Sequence, residues 1–465
     1  MSTHHQTIVV ELGCSRIKVG FAGESKPRRV LSGDDSDDRS WALGIDDGMC
    51  TSSCTWNHFY TYLSSSSATT AAVGEDVHQP TSSYEWEKTL YPLFLFILTS
   101  ILFIQRPSRH RILVLMNDIF PPRHLREALL RVLLDYLNLG GVLLVNGGGL
   151  GSLQYLLEGM NLCRNPAIIQ QPKASLLVDI GTNEARVAVS VPGSSFLAET
   201  YQVTPAGYQM FLRQVLRLYQ ESNEVTGNEE SKSESDENWT INATLEDVNA
   251  IVQAWMSAPN TDTSTSATIS VKLPTLIKQS NEVSESSTTS STIQLSVQPL
   301  LEAFHQVYLD YTQPASLVYA ILNSALASPI DFRRVALQNV VLLGGGSVAL
   351  RSFGKGLKVE LENAIKTACG VSVAGDQTQA AMDEEKKDDG MEVSSIAQGR
   401  FQRLRAAVER SNGQGGVQIK YPDPFTADVA HWVGASVMGK LRLSNEDWIS
   451  ADSNAASSRG ERLRR

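Results

Sequence analysis

The 465-residue chain carries 40 basic and 50 acidic residues, for a formal net charge of −10, and 42% of its residues are hydrophobic. This length allows two domains with ordinary cores, and the acidic balance argues against nucleic acid as the principal ligand. Five scattered cysteines indicate no disulfide framework, and the segment MSTHHQTIVV lacks a signal-peptide pattern. We therefore expect a soluble cytoplasmic or nuclear protein.

The first predicted element is a β-hairpin in Val9–Arg28 (VVELGCSRIKVGFAGESKPR). Apolar and β-branched residues flank Gly13, Gly20 and Gly23, which is typical of strand, tight turn, strand and second turn. Backbone N–H groups in glycine turns can approach an anion closely because no Cβ intervenes. The first turn is therefore a candidate phosphate-binding loop.

A polar stretch and an apolar run follow. Residues 31–85 are rich in Asp, Ser and Thr, so we expect them to be eroded or disordered. Cys50, Cys54 and His58 lie four apart there, but no fourth ligand is evident and chance spacing is favoured over a metal site. The run Leu90–Ile104 (LYPLFLFILTSILFI) is shorter than the ~20 residues that span a bilayer. It predicts a buried helix that is apolar all round, with part of it facing a partner subunit.

The middle of the chain predicts a strand at Arg111–Met116, a helix at Pro121–Leu137 and a second hairpin at Leu176–Val191 (LLVDIGTNEARVAVSV). In this hairpin an apolar strand ends in Asp179 and turns at Gly181 before a second strand begins. The repeated plan predicts a second phosphate loop.

Helical spacing follows in Thr204–Tyr219 and Leu245–Met256. Low-complexity inserts are predicted at 221–240, 259–295 and 376–395. The first and last contain acidic charge runs, which we interpret as solvated loops, and the middle one is Ser/Thr-rich.

A third glycine segment, Asn339–Gly354, begins as a buried-type strand and continues into Gly344, Gly345 and Gly346. With the two hairpins, this loop would complete a clamp for phosphates. A final strand is predicted at Val417–Tyr421.

Together the three segments resemble the phosphate-1, phosphate-2 and adenosine motifs of the actin superfamily. Lys18–Arg28 (KVGFAGESKPR) is similar to the actin segment K-x-G-F-A-G-x-x-x-P-R. Pro329–Asp331 with Arg333 resembles the actin stretch C/S-x-x-D-x-R, and His431–Ser436 (HWVGAS) resembles the start of the W-x-G-G/A-S helix. The resemblance implies an α/β fold of the actin, Hsp70 and hexokinase type. Two similar domains, each a mixed sheet flanked by helices, would enclose a nucleotide cleft.

The resemblance also implies a division of the chain. The small domain would comprise residues 1–160 and 417–465, with an eroded subdomain 2 at 31–85. The large domain would comprise residues 161–416, with a degenerate subdomain 4 at about 206–299.

The same motifs imply a site for ATP or ADP with Mg²⁺. Glu11, in place of the usual aspartate, and Asp179 would hold the hydrated metal, and Lys18 would contact phosphate. The implied nucleotide-binding residues are Glu11, Gly13, Cys14, Ser15, Lys18, Asp179, Gly181, Thr182, Gly344, Gly345 and Gly346.

Departures from the actin pattern imply that hydrolysis is lost. Cys14 replaces a serine that bonds the terminal phosphate, and a thiol is a poorer donor. Thr182 replaces a second aspartate, and Ala349 replaces the aromatic residue beside adenine. Gly147 and Arg186 stand where actins have the glutamine and histidine of the attacking-water network. Because hydrolysis needs a positioned water, we expect no catalytic residue, negligible ATP turnover and at most a structural nucleotide.

Within the family, the chain is similar to the actin-related protein 10 group, the pointed-end subunits of dynactin. Pro121–Leu134 (PPRHLREALLRVLL) is similar to that group's C-P-S-H-F-R-E-T-L-x-R-V-L helix. Ala315–Leu343 is close to its S-V-A-x-x-I-L-D-S-L-x-x-C-P-I-D-T-R-K passage. The divergent ends and Ser-rich inserts suggest a rapidly evolving, fungal member.

This similarity implies a cytoplasmic, cytoskeletal protein that caps the dynactin filament and supports dynein-based transport on microtubules. Its partners would be the filament's actin-related protein and the pointed-end subunits p62, p25 and p27, with no nucleic acid and no membrane span. One alternative is a nuclear actin-related subunit of a chromatin-remodelling complex. An active sugar-kinase or chaperone-type ATPase and a self-polymerising actin are less compatible with the motifs.

Overall fold

A computed structural model of the chain describes residues 6–13, 16–32, 83–116, 122–145, 174–191, 196–225, 245–257, 268–271, 293–345, 348, 353–367, 401–404, 416–441 and 447–450. Several sequence predictions lie outside these residues: those for Cys14, Ser15, Gly147, Gly346 and Ala349, for 33–82, where an eroded subdomain 2 is expected, and for the insert at 376–395.

The first sheet is built around the predicted N-terminal hairpin. Its strands are β1 (Gln6–Leu12), β2 (Arg16–Phe21), β3 (Arg29–Ser32), β4 (His110–Met116) and β5 (Val142–Val145). The spatial order is β3-β2-β1-β4-β5. Strand β2 is antiparallel to β1 and β3, whereas β4 is parallel to β1 and β5. The hairpin therefore occupies one half of a mixed sheet.

The second sheet repeats this topology. Its strands are β6 (Ser175–Ile180), β7 (Ala185–Ser190), β8 (Gln202–Thr204), β11 (Val340–Gly344) and β12 (Ile419–Lys420), while β9 (Thr268–Val271) and β10 (Ile293–Ser296) form a separate hairpin. The order is β12-β11-β6-β7-β8. The hairpin β6–β7 corresponds to β1–β2, and β11 lies parallel to β6 as β4 lies parallel to β1. Two similar α/β domains with mixed sheets, as predicted, are confirmed.

Two helices cover the first sheet. Helix α1 (Ser83–Phe96) continues as a π-helix over Ile97–Ile101, and α2 (Arg123–Leu130) continues as a π-helix over Arg131–Tyr136. A short 3₁₀ turn, Pro107–Arg109, leads into β4. Most of the apolar run Leu90–Ile104 thus lies in a helix, as predicted. The helix begins at Ser83, seven residues before the run.

Helix α1 is not buried on every side. Trp86, Leu90 and Phe94 pack into the core of the first domain, which they share with α2 and the sheet. Tyr91 and Leu95 lie on the opposite side and are exposed. An apolar helix buried on one face leaves the other face available to a partner.

More helices are described on the second domain than on the first. They are α3 (Tyr208–Val225), α4 (Leu245–Ser257), α5 (Gln298–Phe304, continued as a π-helix over His305–Leu309), α6 (Leu317–Ala327), α7 (Ile330–Leu337) and α8 (Phe353–Thr367), with 3₁₀ turns at Ala198–Thr200 and Gln402–Leu404. The helix predicted from Thr204 begins at Tyr208, because β8 occupies Gln202–Thr204 and Pro205 follows it.

The last described helix, α9 (Ala430–Lys440), joins the two sheets. A third core cluster combines Val9 and Leu113 from the first sheet, Leu177 and Val341 from the second, and Trp432 from α9. Strand β12 pairs with β11, so the second sheet extends past residue 416, where the sequence motifs place the domain boundary.

After α9 the chain returns to the first sheet, where the amide of Ile449 donates to the carbonyl of Val142 at 2.9 Å. Among the described helices, none has both the length and the hydropathy needed to cross a membrane.

Candidate functional site: a buried charge cluster between two hairpins

The first hairpin places an ion pair beside its glycine turn. The β1–β2 register sets Glu11 directly opposite Lys18. The Lys18 ammonium donates to Glu11 Oε1 at 2.6 Å and also to the carbonyl oxygen of Asp428. At the turn, the Gly13 amide donates to the Arg16 carbonyl at 3.1 Å. A Cβ on Gly13 would lie 2.6 Å from that oxygen, so this turn requires glycine.

The second hairpin repeats the arrangement with a longer cation. The β6–β7 register sets Asp179 opposite Arg186, and Arg186 Nη1 lies 3.2 Å from Asp179 Oδ2. Arg186 Nη2 also donates to Glu184 Oε1. The Gly181 amide closes the turn on the Glu184 carbonyl at 2.9 Å. One guanidinium therefore bridges two carboxylates.

The third glycine segment lies against the second hairpin. Gly344 ends β11 with φ +108°, and a Cβ there would lie 2.1 Å from the Ile180 carbonyl oxygen. Its amide donates to the Ala427 carbonyl at 3.1 Å. Gly345 faces Asp428. The loop predicted to bind adenosine is thereby fixed beside β6 and the chain that leads into α9.

His431, in the first turn of α9, connects the two hairpins. Its Nε2 lies 3.2 Å from Asp179 Oδ1, while the carbonyl of Asp428, three residues earlier, accepts from Lys18. We call the resulting group the central charge cluster; its members are Glu11, Lys18, Asp179, Glu184, Arg186 and His431. All except Glu11 are at most 7% exposed.

The electrostatics of the cluster follow from its burial. For Asp179, burial raises the pKa, but attraction to His431, Arg186 and Lys18 outweighs it and holds the pKa at about 2. For His431, burial lowers the pKa, but the charge and hydrogen bond of Asp179, aided by Glu11, raise it above the usual value of 6.5. With His431 protonated, three carboxylates face three cations and the cluster is neutral.

The predicted metal ligands differ in what surrounds them. Both oxygens of Asp179 are engaged by cationic groups, Arg186 on one and His431 on the other. A Mg²⁺ ion at Asp179 would therefore have to share these oxygens with two cationic groups. Glu11 Oε2, by contrast, is buried and has no hydrogen-bond partner among the described residues. Among the residues that the structure describes, no set of three or more His, Cys, Asp or Glu is arranged to hold a metal ion.

The structure brings most of the predicted nucleotide residues together. Glu11, Gly13 and Lys18 belong to the first hairpin, Asp179 and Gly181 to the second, and Gly344 and Gly345 to the adjoining loop. Thr182 supports α3 through its carbonyl, which accepts from the Gln209 amide at 2.7 Å.

Three members of the cluster, Glu184, Arg186 and His431, are not among the predicted nucleotide-binding residues; of these, the sequence motifs identify Arg186 only as the replacement of an actin histidine. A signal for part of the cluster exists in the sequence. Both hairpins contain an acidic residue, any residue, a turn glycine, four residues and a basic residue, from Glu11 to Lys18 and from Asp179 to Arg186.

Comparison with known proteins agrees with this arrangement. The sequence model of the family described as Actin matches residues 2–384 of the chain. No curated protein sequence matches significantly. The family match covers most of the chain, including both hairpins and the Gly344 loop, and the two sheets have the repeated topology that the motifs predicted. The chain is a member of the actin family.

Proposed function

We propose that the chain is a non-polymerising actin-related protein that forms the pointed-end subunit of the dynactin filament in the cytoplasm. It would support dynein-based transport on microtubules and would contact the filament's actin-related protein together with p62, p25 and p27. Two features support this proposal: the sequence passages shared with that group, and the central charge cluster. The cluster is the observation that carries the proposal. Its buried ion pairs engage residues of the predicted nucleotide site, and a subunit at a filament end does not need ATP turnover.

The cluster supports the absence of hydrolysis. Arg186 stands where actins carry a histidine of the attacking-water network, and here its guanidinium is committed to Asp179 and Glu184. A buried arginine stays protonated and cannot act as a general base. The amides of Gly13 and Gly344 donate to the Arg16 and Ala427 carbonyls rather than facing an anion. If a nucleotide binds, Lys18 would contact its phosphates, and the nucleotide's role would be structural.

The exposed side of α1 supports a role in assembly. Tyr84, Tyr91 and Leu95 are 63%, 39% and 38% exposed along one side of the helix. Lys88 lies over the Tyr84 ring at 4.9 Å. Exposed aromatic and aliphatic side chains in a row are typical of protein contact surfaces, and this face would be available to the pointed-end subunits.

The physical basis of end capping is the geometry of filament contacts. A growing filament repeats a heterologous contact, in which each subunit presents two different complementary surfaces. A family member that keeps one surface and has lost the other accepts a neighbour on one side only. It therefore terminates the filament without consuming nucleotide.

The test of the proposal is gentle affinity purification of the tagged full chain from its native cell, with mass spectrometry of the proteins that co-elute. We expect the dynactin filament protein with p62, p25 and p27. Recovery of a remodelling ATPase with actin would instead establish the nuclear alternative.

Two assays on purified protein test the remaining parts. ATP turnover should equal that of Lys18→Ala, and turnover clearly above this control would contradict the loss of hydrolysis. Light scattering at increasing salt should show no polymer, and a salt-induced rise would identify a conventional self-polymerising actin.

A further inference from the structure

A groove at the edge of the first domain combines aromatic and basic side chains. Its lining includes the exposed residues Arg28, Phe103, Arg106 and Arg109, with the buried Phe21 at its base, and its volume is about 620 Å³. It lies where α1 ends and the chain turns into β4, away from the central charge cluster. Neither the cluster nor the filament-end role uses these residues.

Phe103 is the unusual residue of this groove. It is 77% exposed and has φ +53°, a left-handed backbone conformation that is unfavourable for a bulky side chain. The helix ends around it, because the amides of Leu102 and Ile104 donate to the carbonyls of Ile97 and Leu98 at 3.0 and 2.8 Å. Glycine or asparagine usually occupies such a helix end.

The end of the neighbouring helix is a direct comparison. There the amides of Leu137 and Leu139 donate to the carbonyls of Val132 and Leu133 at 2.9 and 3.0 Å, and the left-handed residue between them is Asn138, with φ +54°. The two helix ends have the same hydrogen-bond pattern. Since asparagine satisfies the second, helix termination does not explain the phenylalanine at the first.

The two charged side chains that follow Phe103 along the chain are both basic. Arg106 and Arg109 are exposed, on either side of a turn in which the Arg109 amide donates to the Arg106 carbonyl at 3.1 Å. Neither guanidinium has a carboxylate partner among the described residues. Arg28 lies 4.4 Å from the centre of the Phe21 ring and is paired with Glu24 at 2.7 Å. This basic patch stands on a chain whose net charge is −10.

We propose that this aromatic–basic groove binds a linear acidic segment of a partner protein, with an apolar side chain packed against the exposed ring of Phe103. Arginine forks bind carboxylates in a bidentate manner, and arginine and aromatic residues are enriched at the energetic centres of protein interfaces. Charge complementarity selects an acidic partner and excludes other basic surfaces.

The first experiment is selection of a displayed random dodecapeptide library on the immobilised full chain, compared with Arg106→Glu/Arg109→Glu. We expect enrichment, on the wild type alone, of peptides with Asp or Glu flanking an apolar residue. The matched control Arg213→Glu/Arg217→Glu reverses two exposed charges on α3 and should enrich the same peptides as the wild type. Enrichment of neutral or basic peptides, or of the same acidic peptides on the groove variant, would overturn the proposal.

The second experiment measures anisotropy of a fluorescent enriched peptide. We expect Arg106→Glu/Arg109→Glu to weaken binding at least tenfold, and binding to fall with salt. Phe103→Asn should also weaken it about tenfold while leaving the melting temperature unchanged or higher, since asparagine suits this helix end. A fall in melting temperature with intact binding would assign Phe103 to the fold and refute its role in docking.

Phosphatidylserine vesicles distinguish another anionic source. Vesicle binding that requires Arg106 and Arg109, without binding of any acidic peptide, would overturn the proposal in favour of a membrane surface. The proposal does not depend on the dynactin role: peptide binding is measured on the isolated chain, whereas that role is tested by co-purification.

Discussion

The two glycine hairpins have the same plan but different electrostatics. In each, an acidic residue pairs with a basic residue seven positions later, across the strands. In the first hairpin, Glu11 keeps one carboxylate oxygen without a described partner, and its side chain is 14% exposed. In the second, both oxygens of Asp179 are engaged and the surrounding side chains are more deeply buried.

This difference gives the two hairpins different roles. Glu11 has a carboxylate oxygen with no described partner and can still respond to a ligand, whereas Asp179, with both oxygens paired, belongs to the core. A buried charge is costly unless it is fully paired. We therefore expect the fold to lose stability when any one partner in the second hairpin is removed. We expect any remaining response to nucleotide or Mg²⁺ to come from the Glu11 side.

The largest expected effect comes from removing the shared cation of the second hairpin. Arg186→Met leaves Asp179 and Glu184 buried without their guanidinium, and loss of one partner of a buried pair typically costs about 3–5 kcal/mol. Urea unfolding would measure the change. The control Arg217→Met breaks an exposed pair with Glu221 and should cost less than about 1 kcal/mol. Equal costs for the two variants would contradict the buried-pair interpretation.

The next effect concerns the loop beside the second hairpin. Gly344→Ala would place a Cβ in contact with the Ile180 carbonyl and impose a left-handed conformation on alanine, so we expect a loss of about 2–3 kcal/mol. Gly345→Ala is the matched control, because the nearest atom to its added Cβ is 4.0 Å away. Thermal and urea unfolding would measure both. A cost at Gly345 as large as at Gly344 would show that the Ile180 contact is not the cause.

A smaller loss is expected in the first hairpin. Lys18→Met removes the partner of Glu11 and the donor to Asp428, and we expect a cost of about 1–2 kcal/mol. The cost is lower than for Arg186→Met because Lys18 pairs with one carboxylate rather than two, and the Glu11 side chain (14% exposed) is less buried than those of Asp179 and Glu184 (8% and 5%). A loss equal to that of Arg186→Met, measured by the same urea titration, would remove the contrast between the hairpins.

The smallest effect is the dependence on pH. Because the folded pKa of His431 lies above its unfolded value of 6.5, its contribution to stability is complete below pH 6.5 and is lost as pH rises through the folded pKa. The free energy of unfolding should therefore decline above pH 6.5 in the wild type. The decline should be absent in His431→Gln and retained in His305→Gln, which changes an exposed histidine. A rise in stability over this range would contradict the assigned direction.

Much of this fold could be predicted from local pattern. Apolar strands interrupted by Gly13 and Gly181 predicted both hairpins, since turn glycines and β-branched runs act over a few residues. The pairing of Glu11 with Lys18 and of Asp179 with Arg186 follows from hairpin register once the turn is known. The apolar run at Leu90–Ile104 predicted a helix but not its exposed side, because the packing partner decides which face is buried.

The remainder of the site depends on contacts that no local pattern encodes. His431 reaches Asp179 only because α9 lies between the two sheets. Glu184 belongs to the cluster because its carboxylate, next to the turn, accepts a hydrogen bond from the Arg186 guanidinium. Phe103 reads in sequence as one more apolar residue of a helix, and its left-handed conformation and exposure become visible only in three dimensions.

The position of α9 also has a consequence for biosynthesis. The Trp432 indole N–H donates to the carbonyl of Val9 at 3.3 Å, across 423 residues of sequence, and Lys18 finds its carbonyl acceptor 410 residues later. Strands β1 and β2 are therefore synthesised long before the helix that covers their inner face. Contacts of such long range form late, and apolar strands left open during translation are prone to aggregate. We expect the nascent chain to depend on a chaperone that shields β1 and β2 until α9 has been synthesised.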